Sequence, residues 1–223
     1  LANLASRWTE VKDNGSMSLT TDRPSASQSG TSLRIAGGLE GGHLYKNLAA
    51  TGKAQNDVLY LRYYVKYPVG NQAAHDGLWM GGYNPPLDYP FPRAGIKPNG
   101  SDLFHAGAED LDADGYTFDH YDYWTGMHPD GLGSYWGNVL LNDPTVTTKL
   151  GQWMCVEQMV KLNTPVSSLN GEHAIWLDGV KVSHLGPGFP RGSWAGGRFF
   201  QDNAVATTFE GFQWRNDLAL NIN

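Results

Sequence analysis

The sequence predicts an all-β fold, two sheets packed as a sandwich or jelly roll, and three observations carry that prediction. Composition is the first. The chain has 28 Gly, 12 Pro and 12% aromatic residues against 17% charged, an alphabet that suits short strands and turns better than long amphipathic helices. The second is period-2 alternation of apolar and polar residues in many short runs. The third is punctuation by turn-forming residues at Asn14-Gly15, Asn99-Gly100, Pro129-Asp130-Gly131, Asn170-Gly171 and Asp178-Gly179.

Taken in chain order, the expected strands are Met17 to Thr20, Ser32 to Ile35, His43 to Asn47, Val58 to Tyr67, Leu78 to Tyr83, Ser101 to Ala106, Thr117 to Trp124, Trp153 to Leu162, Glu172 to Leu177, Lys181 to His184 and Glu210 to Arg215. No linker, repeat or low-complexity tract interrupts the 223 residues, so one domain over 1–223 is expected. A net charge of -6 argues against a nucleic-acid groove. No run is apolar and long enough to span a membrane as a helix. Cys155 is the lone cysteine, which excludes an internal disulfide and reads as a small packed hydrophobe rather than a nucleophile.

The densest chemistry lies in His75-Asp76-Gly77-Leu78-Trp79-Met80-Gly81-Gly82-Tyr83. His75 is a candidate proton carrier, Asp76 a polar neighbour, Trp79 a platform for a sugar ring, and the glycines allow close backbone approach. A second motif, Thr117 to Trp124, alternates Asp119, Tyr121 and Tyr123 on one face with His120, Asp122 and Trp124 on the other. Sequence alone leaves open which face meets a ligand. His120 is a candidate base, Tyr121 and Tyr123 candidate acids, and Trp124 a second stacking surface. In the strand from Leu61, Arg62, Tyr64 and Lys66 share a face, and from Trp153 onward Glu157 and Lys161 do. Faces this charged and aromatic suit a concave sheet that grips a glycan. Asp110, Asp112 and Asp114 alternate ahead of Gly115 in the manner of a calcium loop, but Tyr121 stands where such a loop needs its closing Glu. A structural Ca²⁺ there is the only cofactor the sequence suggests, and none is required.

Several stretches resemble the jelly-roll polysaccharide lyases of the alginate and glucuronan lyase kind. They are Tyr60 to Pro68, Gly77 to Gly82, Trp153 to Asn163, Asn170-Gly171-Glu172 with Trp176-Leu177-Asp178-Gly179, and Phe209 to Phe212. The resemblance implies a concanavalin A-like two-sheet jelly roll with a concave carbohydrate-binding face. It also implies acid-base chemistry on Tyr, and sometimes His, of that face, a part that Tyr64, His120, Tyr121 or Tyr123 could fill. Those lyases tend to carry Lys just ahead of the glycine segment, where this chain has His75.

The expected function is therefore a secreted, monomeric enzyme that cleaves a uronic-acid-containing polysaccharide by β-elimination. In that reading Arg62 and Lys66 compensate the uronate charge, His75 or His120 removes the C5 proton, and Tyr121 or Tyr123 protonates the leaving oxygen. Tyr64, Lys66, Asp76, Trp79, Trp124 and Lys161 hold the neighbouring sugars. Two alternatives stay open. One is a glycoside hydrolase pairing Glu157 with Asp76 or Asp119. The other is a non-catalytic carbohydrate-binding module. Neither nucleic acid nor a membrane is an expected partner.

Overall fold

The computed structural model describes residues 1–36, 42–48, 58–70, 76–83, 94–99, 103–110, 117–124, 126–162, 171–186 and 211–216, the last six together with residues 76 and 83 for their backbone alone. Every ladder among them is antiparallel, and the architecture is the expected β-jelly roll. A six-stranded sheet runs β1 (Glu10–Asp13), β4 (Gly42–Asn47), β12 (Gly211–Asn216), β6 (Asp76–Tyr83), β7 (Leu103–Asp110), β8 (Phe118–His120). A four-stranded sheet runs β11 (Val180–Leu185), β10 (Glu172–Leu177), β9 (Met154–Lys161), β5 (Val58–Val65). The hairpin β2 (Met17–Thr20) and β3 (Ser32–Ile35) forms a third, two-stranded sheet. No helix among the described residues is long and apolar enough to cross a membrane.

The core lies between the two large sheets. Leu78, Met80, Phe104, Ala106 and Trp124 on one side meet Val160 and Leu185 on the other, while Ala108 and Phe118 meet Met154, Val156 and Ile175. Cross-strand partners in β6 and β7 are matched in size on this inner face: Leu78 pairs Ala108, Met80 pairs Ala106, and Gly82 pairs Phe104. Alternating large and small partners lets side chains from the facing sheet interdigitate without voids.

The strand expectations hold over nearly the whole chain, with two instructive differences. β7 extends through Asp110 rather than stopping at Ala106, and all eight of its residues are buried. The run from Thr117 is a three-residue strand, continued only by isolated bridges from Asp122 to Asn138 and from Tyr123 to His105. β1 escaped the sequence reading because Glu-Val-Lys-Asp offers a single apolar residue and no alternation.

Candidate functional site

Strand register decides which face of Thr117 to Trp124 points where. Phe118 pairs Asp110 and His120 pairs Ala108, so both face the core. Asp119 pairs Glu109 and points outward. Tyr121 donates its backbone N–H to Gly107 O at 3.2 Å, and Tyr123 bridges His105. The outer face of the six-stranded sheet therefore carries Asp119, Tyr121 and Tyr123 from this segment, Trp79 from β6, and His105 and Glu109 from β7.

The sequence makes room on this face by setting a glycine opposite three large side chains of β6 and β7. Gly77 pairs Glu109, Trp79 pairs Gly107, and Gly81 pairs His105. The Trp79 indole lies across Gly107, where a Cβ would come within 3.1 Å of Cδ1 and 2.8 Å of the Tyr121 carbonyl. Its Nε1–H donates to Glu109 Oε2 at 3.2 Å. The rings interlock: Trp79 meets His105 edge-on at 4.3 Å between centroids, stacks on Tyr121 at 6.3 Å, and Tyr121 meets Tyr123 at 5.7 Å. Trp79, His105, Glu109 and Tyr123 are buried in this layer, and Tyr121 is only half-buried. Gly137 packs against the Tyr121 ring, since a Cβ there would sit 2.5 Å from it. Burial and the neighbouring Tyr123 and Glu109 drive the Tyr121 phenol far above its ordinary pKa, so it holds its proton.

The inner face of the same segment has a different fate. His120 Nδ1 lies 3.0 Å from His173 Nδ1, and His120 Nε2 lies 2.7 Å from Ser183 Oγ. Asp122 Oδ2 is 2.9 Å from His173 Nδ1, and Asp122 Oδ1 accepts from Gly107 N at 3.0 Å. Gln158 Nε2 reaches both His173 Nε2, at 2.7 Å, and Ala106 O, at 3.0 Å. Burial pushes both imidazoles down to about 3 and Asp122 up to about 8. Both rings are thus uncharged at neutral pH, and the Asp122–His173 contact is a hydrogen bond rather than an ion pair.

These placements divide the expected residue set. Tyr121, Tyr123 and Trp79 come together on one face, but Trp79 at 3% and Tyr123 at 2% exposure are too buried to stack on a sugar or to protonate one, which leaves Tyr121 of the three. His120 and Trp124 do not join them: both are fully buried between the sheets, where no glycan reaches. Burial there removes His120 as a base acting on a polymer and Trp124 as a stacking surface. Arg62, Tyr64, Glu157 and Lys161 stand on the outer face of the other sheet, where Arg62 pairs Glu157 and Tyr64 pairs Cys155 across β5 and β9. Arg62 is bonded to Glu157 at 3.1 Å, and Lys161 to Glu172 at 2.7 Å. Lys66, just past β5, holds Asp22 at 2.6 Å. Arg62, Tyr64 and Lys66 line a cleft of about 880 Å³ between the β2–β3 hairpin and β5. A full sandwich, about 10 Å from sheet to sheet, lies between these cations and Tyr121, so they cannot compensate charge at that phenol.

Of the two expected hydrolase pairs, Glu157 with Asp119 fails for the same reason, while Glu157 with Asp76 rests on a side chain outside the described ones. Glu157 and Asp119 face outward from opposite sheets, and Asp119 is consumed by the backbone: it accepts from the amides of His120, Leu140, Leu141 and Asn142 at 2.6, 3.1, 2.8 and 2.7 Å. Of the expected calcium loop, Asp110 is a buried strand residue that accepts from Thr148 Oγ1 at 3.2 Å. Asp112 and Asp114 lie outside the described residues, as does His75, and Asp76 is described by its backbone alone, paired with Asp110.

Sequence reasoning missed His105 and Glu109. The signal was present: Phe104, Ala106 and Ala108 alternate with His105, Gly107 and Glu109, which reads as a strand with one apolar and one functional face once it is carried past Ala106.

No family model and no curated protein matches the chain. Solved structures do. A mutant alginate lyase in complex with an alginate tetrasaccharide superposes with a TM-score of 0.60 at 14% identity, over 96% of this chain and 78% of that one. The marine alginate lyase from Aplysia kurodai gives 0.59 at 17% identity, over 92% and 78%. The endo-β-1,4-glucuronan lyase from Trichoderma reesei gives 0.51 at 12% identity, over 93% and 78%. The chain therefore has the β-jelly-roll fold shared by alginate and glucuronan lyases.

Proposed function

We propose that the protein is a polysaccharide lyase that cleaves a uronic-acid-containing glycan by β-elimination on the outer face of the six-stranded sheet. The observation that carries this reading is Tyr121, the partly exposed ring of a layer otherwise buried with Trp79, His105 and Tyr123, on the fold of enzymes that degrade polyuronates. Fold does not fix function, so the chemistry rests on the residues of that layer.

In β-elimination a base removes the C5 proton, the electron pair forms the C4=C5 double bond, and the C4–O bond breaks as an acid protonates the departing oxygen. Tyr121 suits the acid step. Its phenol carries its proton at neutral pH, although burial makes it a weaker donor than a free tyrosine, and it is the half-exposed member of the layer. His105 and Tyr123 fix the tilt of Trp79 and Tyr121 from below. His75, one residue ahead of β6, is the base in this reading, and Asp76 its polar neighbour. A polysaccharide does not cross a membrane unaided, so the reading implies a secreted enzyme.

The experiment is incubation of purified protein with alginate, glucuronan and other polyuronates, followed by ultraviolet absorbance of the unsaturated product. New absorbance with Tyr121-dependent turnover supports the reading. Reducing ends without that chromophore indicate hydrolysis, and affinity without turnover indicates a binding module; either result rejects it.

A further inference from the structure

Between the sheets, directly beneath the ring layer, three potential ligand atoms converge. His120 Nδ1 and His173 Nδ1 are 3.0 Å apart, His173 Nδ1 and Asp122 Oδ2 are 2.9 Å apart, and His120 Nδ1 and Asp122 Oδ2 are 3.7 Å apart. All three residues are fully buried. A tetrahedral zinc ion with bonds of about 2.0–2.1 Å holds its donor atoms about 3.3 Å apart, and the three observed separations bracket that spacing.

The far atom of each residue is already held, as ligands of a metal are. His120 Nε2 meets Ser183 Oγ at 2.7 Å, Asp122 Oδ1 is fixed by Gly107 N at 3.0 Å, and His173 Nε2 meets the Gln158 amide at 2.7 Å. One adjustment is required. A metal on His173 Nδ1 places the ring proton on Nε2, so the Gln158 amide turns over to present Oε1 and gives up the bond from its Nε2 to Ala106 O. Without a metal, protons must bridge the three atoms, supplied by an imidazole N–H or by the Asp122 carboxyl.

We propose that His120, Asp122 and His173 form an internal site for a late first-row divalent cation, zinc by its two imidazoles and one carboxylate. His120 lies on β8 and Asp122 two residues beyond it, whereas His173 lies on β10 of the other sheet. The ion would clamp the two sheets together under the layer that carries Tyr121. The inference does not depend on the carbohydrate chemistry proposed above.

The test uses the full chain, stripped with a chelator and then exposed to Zn²⁺ both directly and during refolding from denaturant. Competition against a chromophoric chelator should give one equivalent per chain and a raised Tm. Co²⁺ in its place should show the intense visible bands of tetrahedral coordination. His173→Gln and Asp122→Asn should each abolish the stoichiometric step. Zn absorption spectroscopy of the wild-type protein should count two imidazoles and one carboxylate, a readout that survives even if the variants misfold. Less than a tenth of an equivalent by both routes, an equivalent that persists in both folded variants, or a first shell with fewer than two imidazoles would overturn the proposal and leave a hydrogen-bonded cluster.

Discussion

Trp79 and His105 meet edge to face at 4.3 Å and 86°, on adjacent strands of one sheet. Each faces a glycine across the ladder, Trp79 facing Gly107 and His105 facing Gly81. Two rings can lie this close to the backbone only because their partners have no side chain, so the glycines set the height of the whole outer face.

Gly107→Ala tests that relation. Its Cβ would fall 2.8 Å from the Tyr121 carbonyl and 3.1 Å from Trp79, and a backbone atom cannot swing away. The expected outcome is a loss of about 1–3 kcal/mol, read by urea denaturation, with a shifted Trp fluorescence maximum. Unchanged stability together with unchanged emission would mean that the indole does not lie on Gly107.

Tyr121→Phe removes the proposed acid while keeping the ring. Turnover of a polyuronate should fall by about 10²–10⁴-fold with Tm nearly unchanged. Gly137→Ala, whose Cβ would press within 2.5 Å of the Tyr121 ring, should lower turnover by displacing the same phenol. Arg62→Ala should leave turnover intact, because that guanidinium belongs to the opposite sheet. Equal losses in Arg62→Ala and Tyr121→Phe would move the chemistry to the other face.

Asp119 accepts from four backbone amides, three of which hold the 140–142 segment and one of which is that of His120. Asp119→Ala strands buried donors and should cost about 3 kcal/mol or more, measured by chemical denaturation. A cost well under about 1 kcal/mol would show that water or another group satisfies those amides.

Acidification should destabilise chelator-treated protein, and the sign follows from the buried cluster. His120 and His173 stay neutral in the fold down to about 3, but protonate near their ordinary value of about 6.5 in the unfolded chain. Their contribution is present above that value and lost as pH falls. Asp122, raised to about 8 in the fold, holds a proton that the unfolded chain releases above about 4, so its contribution is lost as pH rises. Two protons against one leave a net loss of roughly tenfold in the folding constant per pH unit between about 6.5 and 4. His173→Gln should level that slope. Denaturation curves at several pH values check both, and stability that rises on acidification would contradict the assignment.

Much of the fold was legible because strand alternation and turn dipeptides are local signals. Met17–Thr20, Ser32–Ile35 and Glu172–Leu177 were placed to the residue. The candidate site was half legible. Alternation grouped Tyr121 with Tyr123 and set His120 with Asp122 and Trp124, but period 2 gives two faces without saying which is inside. That choice depends on register with β7, and hence on a partner strand whose end had been misplaced at Ala106. The charged face of Arg62, Tyr64 and Glu157 was legible as a face but not as belonging to the other sheet: a strand paired to another by cross-strand salt bridges reads, one strand at a time, much as a ligand-binding surface does.

The most direct measurement is a crystal structure of the Tyr121→Phe protein soaked with a polyuronate tetrasaccharide. The account predicts density across the outer face of the six-stranded sheet, with a glycosidic oxygen within hydrogen-bond reach of the position vacated by the Tyr121 hydroxyl. Sugar seated instead in the cleft beside Arg62, Tyr64 and Lys66, with the Tyr121 face bare, would contradict it.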